Sequence, residues 1–344
     1  MPSSSNRVVL TGIKPSGTPH LGNYVGAIAP ALRLLGEAGE RGDATDFFYF
    51  VADYHAVTSI QDGDTLRHLT REVAATWLAL GLDPEAATIY RQSDVPEVFE
   101  LAWILACVCP KGLMNRAHAY KAAVQRNEEE GRDGDAGVNM GLFGYPVLMA
   151  ADILIMRSTH VPVGEDQRQH VEYARDLVTY AETAFGAGAP LVAPEAMISK
   201  EQASIPGKDG RKMSKSYGNI IPIFAEDDAL RSAVFGVVTD SRALGEPADP
   251  DTTLLYQIFE GVGDPADVAE LRAGLERGFG WKDAKELVYE GIRRRFAEPK
   301  ARYDDLMGGG DELETILRAG AAKAREVASG VVGDLRAVVG TGPA

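Results

Sequence analysis

The feature of this sequence that most constrains its fold is an alternation of short apolar runs with longer amphipathic ones. The runs at 7–13, 47–52 and 87–91 are short and rich in β-branched or aromatic residues, as buried strands are. Between them, the stretch that ends near Leu35 and the stretch 65–81 have helical character. Strands that alternate with helices predict a parallel, doubly wound sheet, so we expect an α/β fold.

The sequence changes character near residue 225. Before that point, 99–113, 146–156 and 167–183 favour helix, and 159–163 favours a strand. After it we find no convincing strand, and helix is favoured at 227–237, 254–259, 264–274, 282–295 and 311–332. We therefore predict an α/β catalytic domain over residues 1–216 and an all-helical domain over 217–344.

Length, charge and cysteine content narrow the class of protein. At roughly 150 residues per domain, 344 residues fit two domains, and a net charge of −15 argues against indiscriminate binding to nucleic acid or anionic membranes. Two cysteines, Cys107 and Cys109, make neither a disulfide framework nor a zinc site, and we expect both to be buried. The N-terminus lacks the apolar core of a secretion signal. We expect a cytoplasmic protein without a membrane-spanning segment.

A turn-rich segment follows the first predicted strand and leads into the first helix. It contains Gly17, His20, Gly22 and Asn23. In a parallel sheet, such a turn lies at the carboxyl ends of the strands, where backbone N–H groups and the helix dipole attract phosphate. Glycine turns between strands and helices are common, so this segment alone indicates phosphate binding only weakly.

A second segment, 207–218, places two lysines and two serines between glycines that permit movement. A loop of this kind can close over a polyphosphate and neutralise the charge of a leaving pyrophosphate. An ordinary basic surface loop is the alternative for a generic pair of lysines. The string Lys-Met-Ser-Lys-Ser at 212–216 is much rarer than such a pair.

The two segments together resemble the signatures of one enzyme family. His20-Leu21-Gly22-Asn23 resembles the HIGH signature, and 212–216 matches the KMSKS signature, of class I aminoacyl-tRNA synthetases. The segments 12–17, 145–154 and 161–167 resemble those of bacterial tryptophanyl-tRNA synthetases, in register from about residue 7 to about residue 330. The resemblance implies a Rossmann-like catalytic domain followed by a helical domain that recognises the tRNA anticodon.

The resemblance also implies an ATP site and the residues that act on it. Catalytic roles fall to His20, Asn23, Lys212, Ser214, Lys215 and Ser216. The ATP-binding set comprises Lys14, Pro15, Ser16, Gly22, Asn23, Gly164, Glu165, Asp166, Ile205, Lys212, Met213, Ser214, Lys215 and Ser216. Without the family, the Gly-Glu-Asp-Gln string at 164–167 would be read as an ordinary helix N-terminus.

Asp152 is a carboxylate within an apolar run. A buried carboxylate without a partner is costly, so the run predicts a donor from a ligand or a neighbour; a salt bridge or a solvent-facing position is the alternative. In the family, the equivalent residue accepts the indole N–H of tryptophan. By the same resemblance the tryptophan pocket also includes Gly12, His55, Tyr145, Met149, Val161, Val163 and Gln167, most of which would otherwise be read as core residues.

The implied reaction activates tryptophan with ATP and then charges tRNA(Trp). ATP brings Mg²⁺ with it, and we expect no metal caged by protein side chains. The arginine-rich stretch 289–302 is the candidate RNA surface, although such a helix is more often a solvated face. The family works as a homodimer, for which the apolar stretch 99–113 is the candidate interface, and core packing is the alternative reading.

The sequence leaves three rival functions open. A tyrosyl-tRNA synthetase shares the fold and both signatures, but its pocket usually carries Gln where Met149 stands. A catalytically silent tRNA-binding paralogue would be expected to lack some of the catalytic residues, all of which are present. A small-molecule nucleotidyltransferase would not explain the helical C-terminal domain.

Overall fold

Five parallel strands form the centre of the structure, a computed structural model that describes residues 7–186, 188–198, 205–243 and 245–342. Their order across the sheet is β3-β2-β1-β4-β5. The strands are β1 (Arg7–Ile13), β2 (Thr45–Val51), β3 (Thr88–Arg91), β4 (His160–Val163) and β5 (Glu195–Ile198). This arrangement confirms the predicted parallel α/β sheet and the four predicted strands.

Strand β1 is the point at which the direction of strand order reverses. It pairs with β2 along its whole length, from Arg7 opposite Thr45 to Ile13 opposite Val51. On its other side it pairs with β4, Val9 lying opposite His160. Ligands of open parallel sheets bind beyond the carboxyl ends of the strands at such a reversal. The segments that follow β1 and β4 therefore flank the expected ligand crevice.

Alternate residues of the strands enter two different apolar clusters. Val9 and Tyr49 belong to one cluster, and Leu10 and Phe50 belong to the other. Successive side chains of a strand point to opposite faces, so the clusters lie on the two faces of the sheet. The near-continuous apolar character of β2 follows from this two-sided burial.

Helices cover the sheet in the first part of the chain. A short helix α1 (Leu21–Asn23) and a π-helical segment, Tyr24–Ile28, lead directly into α2 (Ala29–Arg41). The others are α3 (Asp53–Val57), α4 (Gly63–Ala79), α5 (Glu97–Val108), α6 (Lys111–Met114), α7 (His118–Glu129), α8 (Met140–Ile155) and α9 (Arg168–Phe185). They include the predicted helices at 65–81, 146–156 and 167–183.

The predicted single helix over 99–113 is wrong in one respect. It is two helices, because α5 ends before Pro110 and α6 begins after it. Proline lacks an N–H and disfavours a helical residue before it. The expected burial of the cysteines is also wrong, since Cys107 is exposed and Cys109 is only half-buried. In the part of the chain that the structure describes, no helix has the length and apolarity needed to cross a membrane.

The described residues after 226 form helices and short turns, as predicted. The helices are α10 (Asp227–Phe235), α11 (Leu254–Glu260), α12 (Pro265–Glu276), α13 (Trp281–Arg295), α14 (Ala297–Met307) and α15 (Glu312–Val339). The predicted change of character near residue 225 is thus confirmed. The domain boundary at 216/217 stays a prediction.

The last helix returns to the α/β part of the chain. A Cβ at Gly320 of α15 would lie 1.8 Å from the carbonyl oxygen of Ile89 in β3, so only glycine permits this approach. Arg325 and Arg336 of α15 form ion pairs with Glu97 and Glu100 of α5. Residues far apart in sequence thus hold the helical part against the sheet.

Candidate active site

The turn after β1 is fixed by backbone and side-chain hydrogen bonds. The backbone N–H of His20 donates to Oδ1 of Asn23 at 3.1 Å. The N–H of Leu21 donates to the carbonyl of Ile221 at 2.9 Å, which ties the turn to the segment after the 212–216 loop. His20 is buried, and burial followed by the nearby charge of Lys215 lowers its pKa to about 4. The His20 ring is therefore neutral at physiological pH.

Lys215 lies directly over the turn. Its Nζ donates to the carbonyl oxygen of Gly17 at 2.5 Å. Gly17 has a φ of +138°, and a Cβ there would lie 2.7 Å from Cδ of Lys215. Glycine is thus required at this position both by its backbone and by the lysine that crosses it.

Of the other residues in the 212–216 loop, some are anchored by hydrogen bonds or burial and others are exposed to solvent. Met213 is buried, and its Sδ accepts the backbone N–H of Gly22 at 3.2 Å. The hydroxyls of Ser214 and Ser216 share a hydrogen bond of 2.9 Å. Lys212 is exposed to solvent at the cavity wall. The loop therefore offers one anchored and one free-standing ammonium group to the cavity.

Asn219 is a residue that the sequence analysis missed. Buried beneath the loop, it accepts the N–H of Ser214 at 2.8 Å and donates to the carbonyl of Lys212 at 3.1 Å. It also donates to Asp209 at 2.6 Å, and this hydrogen bond is the main reason why the pKa of Asp209 is lowered to about 2. The sequence signal for it is an asparagine just after a Tyr-Gly turn, which is too common to single out.

A cavity of about 1030 Å³ opens at the carboxyl ends of β1 and β4. Its volume is at the upper end of the range typical of small-molecule sites. Among its wall residues are fifteen that the sequence analysis assigned to the site: Gly12, Ser16, His20, Gly22, Asn23, Val163, Gly164, Asp166, Gln167, Ile205, Lys212, Met213, Ser214, Lys215 and Ser216. The end of β4, the segment after it and the two signature segments thus meet at one place.

Three predicted ATP-site residues lie outside this wall. Lys14 lines a neighbouring cavity of about 30 Å³ and donates to Oγ1 of Thr58 at 3.1 Å. Pro15 is buried in the turn. Glu165 is exposed and paired with Arg168 at 2.7 Å. The structure does not bring these three side chains to the main cavity, and their roles stay predictions.

Asp152 is buried, with 2% of its surface exposed. Its Oδ2 is 2.8 Å from Nε2 of His55, and its Oδ1 accepts from Nε2 of Gln92 at 2.8 Å. Burial raises the pKa of the carboxyl, while the hydrogen bonds and charge of its neighbours oppose that rise. The structure thus supplies the donors that a buried carboxylate needs.

The remaining residues expected at the tryptophan pocket lie on α8 itself, on α3 and on the segments around them. The ring of Tyr145 lies 6.3 Å from that of His55, and its hydroxyl is 2.7 Å from Nε2 of His170. Met149 is half-buried on α8, and Val161 is buried in β4. Asp152, His55, Tyr145, Met149 and Val161 lie outside the wall of the large cavity, whereas Gly12, Val163 and Gln167 belong to it.

Gly12 of the cavity wall lies opposite Phe50 in the pairing of β1 with β2. A Cβ at this position would lie 2.4 Å from Cε1 of Phe50, so a side chain here would displace that ring. Two chemically different groups of residues result. Two lysine ammonium groups stand at the large cavity, suited to polyphosphate. A buried, hydrogen-bonded carboxylate lies outside the wall of that cavity, suited to an N–H donor.

The arginine-rich stretch on α13 and α14 makes ion pairs. Every lysine and arginine of the candidate RNA stretch 289–302 forms an ion pair with an acid. The pairs are Arg293–Glu290, Arg294–Asp267, Arg295–Asp264, Lys300–Asp304 and Arg302–Glu312. This pairing reduces the positive potential that RNA binding would use. The assignment of this stretch to RNA stays a prediction.

Known proteins resemble this chain over nearly its whole length. A family model described as tRNA synthetases class I (W and Y) matches residues 3–297. The tryptophan–tRNA ligase of Pseudomonas aeruginosa is 51% identical over 333 residues, which make up 96% of this chain and 73% of that protein. The tryptophan–tRNA ligase of Bordetella parapertussis is 50% identical over 338 residues, covering 98% of this chain and 74% of that protein.

A solved structure gives the same result. The crystal structure of tryptophanyl-tRNA synthetase from Campylobacter jejuni, complexed with ADP and tryptophan, superposes with a TM-score of 0.86 at 40% identity. The match covers 97% of this chain and 99% of that chain.

Proposed function

The chain belongs to the bacterial tryptophan–tRNA ligases within the class I tRNA synthetases, and from this membership we propose how its residues carry out the reaction. It is an ATP-dependent enzyme. In the first step, a carboxylate oxygen of tryptophan attacks the α-phosphorus of ATP, pyrophosphate leaves, and tryptophanyl-adenylate forms. In the second step, a hydroxyl of the 3′-terminal ribose of tRNA(Trp) attacks the mixed anhydride and AMP leaves.

ATP, with its Mg²⁺ as part of the substrate, occupies the large cavity. Ser16, Gly22 and Asn23 approach the phosphates at the start of the helical run that continues to Arg41, where the helix dipole favours negative charge. Gly164 lets the backbone approach the nucleoside, and Asp166 accepts hydrogen bonds from the ribose hydroxyls. His20, whose ring is neutral, meets ATP beside Gly22 and Asn23 without adding charge.

Lys212 and Lys215 act on the charge that develops on the pyrophosphate. No covalent enzyme intermediate is needed, because in-line displacement requires positioning and electrostatic stabilisation. The ammonium group of Lys215 donates to the carbonyl oxygen of Gly17. We propose that it exchanges this acceptor for a phosphate oxygen when ATP is bound, while Ser214, Ser216 and Met213 keep the loop in register.

Tryptophan lies between the lysines of the large cavity and the carboxylate of Asp152. Asp152 accepts the indole N–H, and His55, Met149, Val161 and Val163 surround the ring. Tyr145 completes the indole pocket, Gln167 helps to hold the ammonium group, and Lys14 stands near the junction of the two substrates. The pocket passes Gly12, where any side chain would collide with the ring of Phe50.

We propose that the enzyme is a cytoplasmic homodimer and that residues 217–344 recognise the tRNA anticodon. The α5 and α8 surface supports the dimer, because Trp103 is 72% exposed and Met140 78% exposed. Burial of Trp103 at a subunit interface would remove a large apolar surface from water. Sedimentation velocity should show a dimer for the wild type and a monomer for Trp103→Asp. Val238→Asp, at an exposed apolar residue elsewhere, should leave the dimer intact.

The observation that carries this proposal is the convergence of 16–23, 163–167 and 205–216 on one cavity at the strand-order reversal. ATP–pyrophosphate exchange tests it. Exchange should require tryptophan and ignore tyrosine, and Asp152→Ala should lower it by about 100-fold or more, because the indole N–H loses its acceptor. Asp334→Ala, at an exposed acid on α15, is the control. Tyrosine-dependent exchange, or none from a folded chain, would contradict the proposal.

A further inference from the structure

Gln92 is a buried polar residue that neither signature segment contains. It begins the 3-10 turn Gln92–Asp94 at the carboxyl end of β3, and none of its surface is exposed. A buried primary amide needs partners for both its oxygen and its nitrogen. The identity of those partners determines what Gln92 does.

The hydrogen bonds of Gln92 fix the orientation of its amide. Oε1 accepts the backbone N–H of Tyr54 at 3.1 Å, so Nε2 must face the other way. Nε2 donates to both oxygens of Asp152, at 2.8 Å and 3.0 Å. Exchanging the oxygen and nitrogen would oppose N–H to N–H and carboxylate to carbonyl, so only one orientation is satisfied.

The turn that carries Gln92 is itself clamped to α3. The N–H and the hydroxyl of Ser93 donate to Asp53 at 3.1 Å and 2.5 Å. Helix α3 also carries His55, the second donor to Asp152. One clamped pair of segments therefore positions both donors, and Asp152 is held from two sides.

We propose that Gln92 is a positioning residue that keeps Asp152 as an ionised acceptor directed at the indole N–H of the substrate. The inference rests on the proposed function and deepens it, since it names what fixes recognition of the ring nitrogen. A carboxylate has about four acceptor positions. Gln92 and His55 fill three of them in this structure, which leaves one for a donor from the substrate.

The Gln92 amide presents only its N–H donors to Asp152, because its oxygen accepts from Tyr54. In Gln92→Glu, two carboxylates would face each other and share one proton. At low pH the protonated carboxyl of the substituted side chain would donate to Asp152 as the amide does. At higher pH both groups would ionise and repel, and Asp152 would leave its position. Tryptophan binding by this variant should therefore weaken as the pH rises.

The test measures kcat and KM for both substrates in ATP–pyrophosphate exchange from about pH 6 to about pH 8.5. Gln92→Glu should show a KM for tryptophan near the wild-type value at the low end and about 10-fold or more above it at the high end. The KM for ATP should stay within about 2-fold. Gln125→Glu is the matched control, since the Gln125 amide also donates to a carboxylate, that of Glu129, but on an exposed face of α7.

A second variant keeps the proposal testable if the charged one does not fold. Gln92→Met has nearly the same shape and no polar atoms, and it should raise the KM for tryptophan at every pH. It should also reduce the preference for tryptophan over its analogue with sulfur in place of the ring N–H, because that preference depends on Asp152.

Three results would overturn the inference. These are a KM for tryptophan that is unchanged in both variants, equal rises in both KM values, and an undiminished preference over the sulfur analogue in Gln92→Met. A folded wild type without tryptophan-dependent exchange would overturn the proposed function, and with it the inference. Failure of the inference alone leaves wild-type exchange intact, so the two failures are distinguishable.

Discussion

The ammonium group of Lys215 donates to the carbonyl oxygen of Gly17 at 2.5 Å, joining two segments that are 198 residues apart. Burial lowers the pKa of Lys215, and the nearby carboxylate of Glu72 opposes that effect. The contact places a cation at the turn where the phosphates of ATP are expected. The position of the Lys215 side chain therefore also depends on the backbone conformation of Gly17.

The first prediction concerns Gly17→Ala. A side chain at a φ of +138° is strained by about 1–3 kcal/mol, and its Cβ would displace Lys215. We expect lower kcat for exchange together with reduced stability. Gly36→Ala is the control, because no atom lies within 4 Å of a Cβ built there. Equal activity of the two variants would show that the contact has no role.

The second prediction concerns Asn219→Asp. The aspartate keeps an acceptor for the N–H of Ser214 but loses the donors to Asp209 and Lys212, and it brings two carboxylates together. We expect kcat/KM for ATP to fall by about 10- to 100-fold because the loop loses its fixed position. Asn115→Asp, on the exposed surface, should behave as wild type. Unchanged ATP kinetics in Asn219→Asp would argue against a positioning role.

The third prediction concerns the pH dependence of stability. The pKa of His20 is about 4 in the folded chain and about 6.5 when unfolded, so protons bind preferentially to the unfolded chain between these values. Wild-type stability should therefore fall as the pH decreases from 6.5 to 4, and it should fall less in His20→Asn. Urea unfolding at several pH values checks this. His118→Asn retains His20 and should keep the wild-type slope; the same slope in His20→Asn would contradict the account.

The fourth prediction concerns the contact of α14 with α4. The buried carboxylate of Glu72 accepts the hydroxyl of Tyr303 at 3.0 Å and that of Thr18 at 3.2 Å, linking the helical part to the turn after β1. Tyr303→Phe should lower the free energy of unfolding by about 1–3 kcal/mol, because a buried carboxylate loses a donor. Denaturant unfolding measures the change. Tyr180→Phe on α9 makes the same change elsewhere and should have a smaller effect, and equal effects would exclude a special role for Tyr303.

Local patterns predicted most of the sheet and helices, but not every edge. The strands β1 and β2 have apolar runs that burial on both faces requires. The edge strand β5, with the sequence Glu-Ala-Met-Ile, is only partly buried and has no such run, so it was missed. The resemblance alone assigns Glu165 to the ATP site; the structure pairs it with Arg168, and its role stays a prediction.

Long-range partners account for what the sequence did not predict at the site. Asp152 stood out because a carboxylate in an apolar run needs a donor. Gln92, which supplies two of its hydrogen bonds, is 60 residues away and follows a different strand. Asn219 likewise acts through contacts that exist only when the loop is folded. Patterns in one sequence indicate which residues are buried and whether a segment has the period of a helix or a strand. The pairing of distant polar groups depends on the tertiary fold, so such patterns do not predict it.

The most direct test of the central claim is aminoacylation of tRNA(Trp) by the purified chain. Labelled tryptophan should become attached to the tRNA in a reaction that requires ATP, and labelled tyrosine should not. Lys215→Ala should lower the initial rate by about 100-fold or more, as expected for loss of a charge that stabilises the transition state. A folded wild-type chain that charges tRNA with tyrosine, or that leaves tRNA(Trp) uncharged, would contradict the account.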